Sequence, residues 1–357
     1  MPPLSQGTAD CESSPSQTFA WPEGVVRCTL SYGLSYGRPD THLGYHESTK
    51  STMPSNLAYS AALILLLAYG SLASGREPPK PPDTSDLPPG VRWLRDLEYI
   101  PGGHERQKLD LYLPEKASGP LPVIVWVHGG GWQEGNKDWR RAVPLVPKGY
   151  ALANINYRLS QHAVFPAQIE DCKAAIRWLR ANTKKYGLDP DHIGAWGPSA
   201  GGHLVALLGT TSGVKELEGA GGNLDQSSCV RCVVDWFGPT DLATMGGRYD
   251  EPDSSVARLI GGPVQKHKEK AAKASPLYYV TKDAAPFLIM HGDQDDVVPL
   301  AQSVKLAEAL KRAGVEVALQ VYKGSGHGGR AFHNPESWKL IEDFFARHLR
   351  AEKPARR

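Results

Sequence analysis

The sequence predicts an α/β fold: a mainly parallel sheet of eight strands, helices on both faces, and a small loop and helix cap. Three observations carry that expectation. Short apolar runs alternate with helical periodicity from the third run onward, the order that parallel strands joined by crossover helices require. The run Pro122-Val-Ile-Val-Trp-Val127 is continuously apolar, as a strand covered on both faces should be. Each chemically distinctive stretch follows the end of a strand: glycines after the third, a serine after the fifth, acids after the seventh, a histidine after the eighth. Ligands of an open parallel sheet bind beyond those strand ends.

The first two strands, Trp93 to Ile100 and Leu109 to Leu113, flank the turn Pro101-Gly-Gly103 and are expected to pair antiparallel. Pro122 to Val127 is the third strand and Tyr150 to Asn156 the fourth. From Pro166 to about Tyr186 the pattern is helical, with Ile169, Cys172, Ala175, Ile176 and Leu179 on one stripe. Pro166 suits the first turn and Gly187 the C-terminal cap. Asp189-Pro-Asp191 turns the chain into the fifth strand, Ile193 to Trp196, and a helical pattern resumes at Leu204. Gly209 to Ser228 reads as a polar surface loop and Val230 to Phe237 as the sixth strand. The irregular segment Leu242 to Pro276, with a basic stretch from Lys266 to Lys273 that reads as a solvated helix face, is the expected cap and the expected seat of substrate choice. Phe287 to Met290, a helix through Val304, Ala307 and Leu310 stopped by Gly314, Val315 to Tyr322, and a helix from Pro335 complete the domain, assigned to residues 91–350.

The 357 residues are 41% hydrophobic and 22% charged, enough for a full core. A net charge of +2, with no basic stripe between aromatics, makes nucleic acid an unexpected partner. Cys172 falls on an apolar helix face. Cys229-Val-Arg-Cys232 has no second cysteine pair or nearby histidine pair, so no metal site is expected and both thiols read as structural. Residues 1–52 read as an upstream extension or disordered leader. Residues 53–73, with an apolar run from Leu57 ending in Ser71-Leu-Ala73, look like a signal peptide that lacks its usual basic start. Residues 74–90 form a proline-rich tether. The expected product is exported, periplasmic or extracellular, with no stable membrane insertion after cleavage.

The stretch Gly197-Pro-Ser199-Ala-Gly201 joins a strand to a helix. A serine at such an apex is held in a strained backbone conformation with its hydroxyl outward, and close strand–helix approach demands glycine on both sides. Ser199 is the expected nucleophile. A serine hydroxyl needs a base, and His327, in a glycine-rich loop after the last strand, is positioned for it. His203, His291 and His333 are rivals, the first two reading as structural. Asp293, Asp295 and Asp296 are candidates for the acid that orients the base. His128-Gly-Gly-Gly-Trp132 leaves backbone N–H groups bare at a strand end, and no G-K-[ST] follows to make it a phosphate loop. With the serine turn it reads as an oxyanion hole built from Gly130, Gly131 and Ala200, the N–H of Trp132 being a substitute donor. The Trp132 ring is a candidate lining of the acyl pocket.

With serine, acid and histidine in that order, the chain resembles the α/β-hydrolase superfamily. More narrowly it resembles the feruloyl and acetylxylan esterase group of bacterial carbohydrate esterases. The stretches that carry this are His128-Gly-Gly-Gly-Trp132, Tyr157-Arg-Leu-Ser160, Phe165-Pro-Ala, Trp196-Gly-Pro-Ser-Ala-Gly-Gly-His203, Asp235-Trp-Phe-Gly-Pro-Thr-Asp241 and His291-Gly-Asp-Gln-Asp295, over roughly residues 93 to 349. Pro198 stands where hormone-sensitive-lipase-like esterases carry an acid, and there is no room for the propeller of prolyl-oligopeptidase-type peptidases. The resemblance implies Asp295 as the orienting acid. It also implies ester hydrolysis through an acyl-serine without cofactor, on a small or polysaccharide-linked ester such as an acetyl or feruloyl sugar ester. A general short- or medium-chain carboxylesterase is the alternative, and a non-catalytic binding protein that keeps the fold is a remoter one. Oligomeric state is not legible.

Overall fold

A computed structural model describes residues 87–350. The expectations for the leader, the signal peptide and the tether up to residue 86 lie outside the described residues. The strands are β1 (Val91–Glu98), β2 (Lys108–Pro114), β3 (Leu121–Val127), β4 (Ala151–Ile155), β5 (Leu188–Pro198), β6 (Cys232–Trp236), β7 (Phe287–Gly292) and β8 (Val317–Tyr322). The helices are α1 (Ala167–Ala181), α2 (Thr183–Tyr186), α3 (Ala200–Thr210), α4 (Ser255–Ile260), α5 (Lys268–Lys273), α6 (Ala301–Arg312) and α7 (Pro335–Leu349).

One sheet holds all eight strands in the order β1-β2-β4-β3-β5-β6-β7-β8. β2 runs antiparallel to both its neighbours, and every other pairing is parallel. The continuous apolar runs are explained by the pleat, which sends successive side chains to opposite faces. Val123, Val125 and Val127 join one core with α1, α3 and α6, while Ile124 and Trp126 join a second core with α7. The same split recurs in β7, where Phe287 and Ile289 face the first core and Leu288 and Met290 the second.

The second core is built around tryptophans from three adjacent strands. Trp196 meets Trp126 and Trp236 edge-on, with centroids 4.9 and 5.0 Å away, and Trp338 of α7 at 5.7 Å. Edge-to-face contact of this kind adds to the burial of large apolar area.

Two of the expected boundaries that shift have a visible cause. The helix expected to reach Tyr186 divides into α1 and α2 at Asn182, whose side-chain amide donates back to the Trp178 carbonyl at 2.9 Å and so competes with the helical ladder. The expected turn at Asp189 lies within β5, yet the pairing with β3 jumps from Leu188 to Ile193, so these residues bulge out of the ladder. Helix α1 is anchored by the Tyr157-Arg-Leu stretch: Arg158 forks onto the fully buried Asp171 carboxylate, with contacts of 2.7 and 2.9 Å, and Gln107 donates to the same group. Cys172 is buried, and Cys229 and Cys232 form no disulfide with one another.

The Leu242 to Pro276 segment folds into α4, α5 and short 3-10 turns. Arg258 of α4 donates to Gln133 beside the glycine loop at 3.0 Å. Lys268 and Lys270 on α5 are exposed, as expected of a solvated face.

Trp196→Ala should cost about 3–5 kcal/mol of unfolding free energy, because a fully buried indole leaves a cavity that three other tryptophans cannot close. Urea unfolding followed by circular dichroism checks this.

Candidate active site

Ser199 stands between the end of β5 and the start of α3 with φ 54° and ψ −122°, outside the regions an L-residue prefers. Its N–H donates to the Trp236 carbonyl at 2.8 Å and its carbonyl accepts from His203 N–H at 2.9 Å, so both sides of the apex are pinned. A Cβ on Gly201 would lie 2.1 Å from the Val127 carbonyl oxygen, and one on Gly197 2.7 Å from the same atom. Only glycine permits that approach of the turn to the end of β3. It places the serine beside the glycine loop that β3 feeds.

That loop turns through left-handed conformations at Gly130, Gly131 and Trp132, with φ of 108°, 57° and 58°. A side chain on Gly130 would strike the Glu134 carbonyl oxygen at 2.3 Å. Among the described residues, no backbone hydrogen bond uses the N–H of Gly130, Gly131 or Ala200. These three expected donors therefore remain free for an oxyanion. The loop is held from behind by His128, which is fully buried and stacks on Tyr157 with centroids 4.4 Å apart. His128 Nδ1 donates to the Gly129 carbonyl at 2.7 Å and Nε2 accepts from Arg106 at 3.1 Å; the Tyr157 hydroxyl donates to the His128 carbonyl at 3.0 Å. Burial drives the His128 pKa down to about 3, keeping the ring neutral.

Trp132 departs from expectation. Its indole is 2% exposed and does not border the cavity in front of Ser199. Nε1 donates instead to Nδ1 of His203 at 3.1 Å, and His203 Nε2 donates to the Ala274 carbonyl at 2.6 Å. The ring packs inward because this neutral histidine offers its indole N–H a buried acceptor.

Asp295 and His327 meet: His327 Nδ1 lies 2.8 Å from Asp295 Oδ2. Asp295 Oδ1 takes the N–H groups of Val297 and Val298, both at 2.8 Å. The His291 Nε2 N–H is shared between the Val298 carbonyl at 2.8 Å and Asp295 Oδ2 at 3.2 Å, while Nδ1 faces the Ser303 hydroxyl at 2.6 Å. Burial alone would raise the Asp295 pKa, but the donors from His291, His327 and Val298 outweigh it and hold the carboxyl well below the usual range. The carboxylate therefore fixes a proton on His327 Nδ1 and leaves Nε2 bare. Asp293 accepts from Gly324 N–H at 2.6 Å, tying the acid loop to the histidine loop, and Asp296 is exposed. His203 and His291 are buried and structural, as expected.

Ser199 and His327 line one cavity of about 610 Å³, together with Gly130 and Gly131. Its other walls include Trp236, Phe237 and Phe332, and a rim of Glu134, Trp139, Arg141 and His333. Phe237, at φ 44°, lays its ring 4.4 Å from that of His327. Nothing in the periodicity of the sequence marks this contact, because it depends on a left-handed turn just after β6. The Leu242 to Pro276 segment contributes no lining residue to this cavity; it braces the glycine loop from outside, with Ser255 Cβ 3.6 Å from where a Gly131 Cβ would stand.

A model of the BD-FAE family matches residues 109–310, from β2 to α6 and so across Ser199 and Asp295. The chain belongs to the BD-FAE family. Esterase LipC of Mycobacterium tuberculosis is 32% identical over 69% of this chain. The match spans 64% of that relative's own length, so this member of the BD-FAE family covers less than two thirds of it. Among solved structures, a truncated carbohydrate esterase from gut microbiota is 35% identical, with a TM-score of 0.69, over 72% of this chain and 96% of its own. An acetyl ester-xyloside bifunctional hydrolase from Caldicellulosiruptor lactoaceticus is 29% identical, with a TM-score of 0.59, over 67% of this chain and 87% of its own. These neighbours confirm the α/β-hydrolase fold expected of a BD-FAE member.

The neutral state of His128 makes stability pH-dependent. Above about pH 6.5 the imidazole is neutral in both folded and unfolded chains. Below that pH the unfolded chain takes up a proton that the folded protein refuses until about pH 3, so stability falls as pH falls. His203, lowered to about 4 by burial, acts in the same direction. Urea unfolding between pH 6.5 and pH 5 should show each histidine contributing up to about 1.4 kcal/mol per pH unit. His128→Gln should flatten that slope.

Proposed function

We propose that the chain is a carboxylic ester hydrolase that works through an acyl-serine intermediate on Ser199. The observation that carries this is the convergence on one cavity of a strained serine, a histidine whose Nδ1 is bound to a buried carboxylate, and free backbone N–H groups. In this reading His327 Nε2 takes the Ser199 hydroxyl proton as Oγ attacks the ester carbonyl carbon. The carbonyl oxygen becomes an oxyanion that accepts from Ala200 N–H and from Gly130 or Gly131 N–H. His327 returns the proton to the departing alcohol oxygen as the C–O bond breaks. Water, deprotonated by the same nitrogen, then releases the carboxylic acid and restores Ser199. Asp295 stays ionised throughout and steadies the imidazolium.

The finer reading is that the substrate is an acetyl or feruloyl ester of a plant polysaccharide or its fragments. Support comes from the carbohydrate esterase and the acetyl ester-xyloside hydrolase among the structural neighbours. Export with Met53 to Ala73 as signal peptide is part of the proposal and rests on the sequence alone. N-terminal sequencing of secreted protein should begin near Ser74; a mature chain that retains residues before Met53 would contradict it.

Ser199→Ala should lower turnover of p-nitrophenyl acetate by about 10⁴-fold or more while the thermal midpoint stays near wild type. Asp295→Asn should cost about 10⁴-fold in kcat by favouring the wrong tautomer of His327. Near-wild-type turnover in the serine variant would end the acyl-serine account.

A further inference from the structure

We infer that the rim formed by Trp139, Arg141 and His333 is a subsite for the alcohol half of the substrate, and that it takes a sugar ring. This rests on the ester-hydrolysis reading, because that reading sets the direction. The proton that leaves His327 goes to the alcohol oxygen, so the alcohol lies on the histidine side of the cavity. The loop that carries His327 continues through Phe332 and His333, which line the same cavity. Arg141 Nη1 donates to His333 Nε2 at 2.8 Å, which ties the segment carrying Trp139 to that side.

Trp139 is 42% exposed, one of four large hydrophobic residues left exposed among the described residues, and it alone of the four lines this cavity. It is not on a loose loop. The buried Asn154 amide donates to the carbonyls of Lys137 and Trp139 at 3.0 and 2.8 Å, and Asn156 accepts from Lys137 N–H at 2.6 Å. Two asparagines at the end of β4 thus hold a tryptophan at the cavity mouth. A fixed indole in water gains when a ligand with a flat apolar face covers it.

The polar groups around it narrow the ligand. No carboxylate pairs with Arg141 among the described residues. Its partner His333 accepts as a neutral ring, whose pKa is lowered by burial and by the Arg141 charge. The guanidinium has five N–H donors and spends one here. Glu134 adds a carboxylate to the same cavity. One charge of each sign, beside an aromatic face, suits a neutral ring with hydroxyls that both donate and accept. A long acyl chain would use neither charge, and an anion would meet the carboxylate as well as the guanidinium. A pyranose presents axial C–H groups to the indole and hydroxyls to Arg141 and Glu134.

The test compares two esters with one acyl group, an acetylated methyl β-xylopyranoside and ethyl acetate, in a pH-stat. In Trp139→Ala the ratio of kcat/KM on the xyloside to that on ethyl acetate should fall about tenfold, mainly through KM. Arg141→Ala should lower the same ratio. A proportional loss on both esters, or no loss on the xyloside, overturns the subsite. Binding of methyl β-xylopyranoside to Ser199→Ala protein, read by saturation-transfer NMR, supplies an arm independent of turnover: saturation that disappears when Trp139→Ala is added supports the subsite, and absence of binding at tens of millimolar overturns it. Should ethyl acetate turn over through Ser199 while no acetylated sugar does, this inference falls and the ester-hydrolase reading stands. Should neither ester react, the reaction is misread, and the NMR arm still decides whether the rim binds a sugar.

Discussion

The near contact between the turn at Ser199 and the last carbonyl of β3 is the constraint on which the site depends. Gly201 sits where any side chain would penetrate the Val127 carbonyl oxygen, and Gly197 presses on it from the strand side. Because β3 and β5 are parallel neighbours, that closeness brings the serine apex and the glycine loop to the same edge of the sheet. The serine apex and the N–H groups of the glycine loop are therefore brought together by one backbone packing event. Helix α3 gains a strained N-cap residue from it, offset by two backbone hydrogen bonds at the apex and by a helix that is buried from end to end.

The second half of the site is electrostatic. Asp295 is buried, yet four N–H donors converge on it from His327, His291, Val297 and Val298. A lone buried carboxylate would prefer to be neutral, and this one is held charged by the number of its partners. His291 is part of that support, which gives the first histidine of the His291-Gly-Asp-Gln-Asp295 stretch a physical purpose. His128 shows the opposite solution: with no anion beside it, burial keeps it neutral, and it serves as a hydrogen-bonded brace for the glycine loop.

Polarity in the cavity is unevenly placed. Aromatic side chains at and just after the end of β6 and from the histidine loop form its interior, while charged and amphipathic groups gather at the rim, Glu134, Trp139 and Arg141 from one segment and His333 from another. The segment expected to govern substrate choice, Leu242 to Pro276, instead buttresses the glycine loop through Ser255 and Arg258. Loops that follow strand ends thus build the cavity, and the longer insertion stabilises them.

The sequence by itself determined the strand and helix order, the serine turn, the glycine loop and the order of acid and histidine. These are local: periodicity, glycine placement and strand-end position are written in consecutive residues. Only the tertiary structure decided where long side chains point. Trp132 reads from its position as a pocket wall but turns inward, because His203 from a helix 71 residues on offers it a buried acceptor. Phe237 reaches His327 through a left-handed turn that no pattern of hydrophobicity encodes. Trp139 and Arg141 reach the cavity because Asn154 and His333, from distant elements, hold their segment there. Side-chain partners far apart in the chain are set by three-dimensional packing, and so the rim of the site was illegible while its serine turn and glycine loop were not.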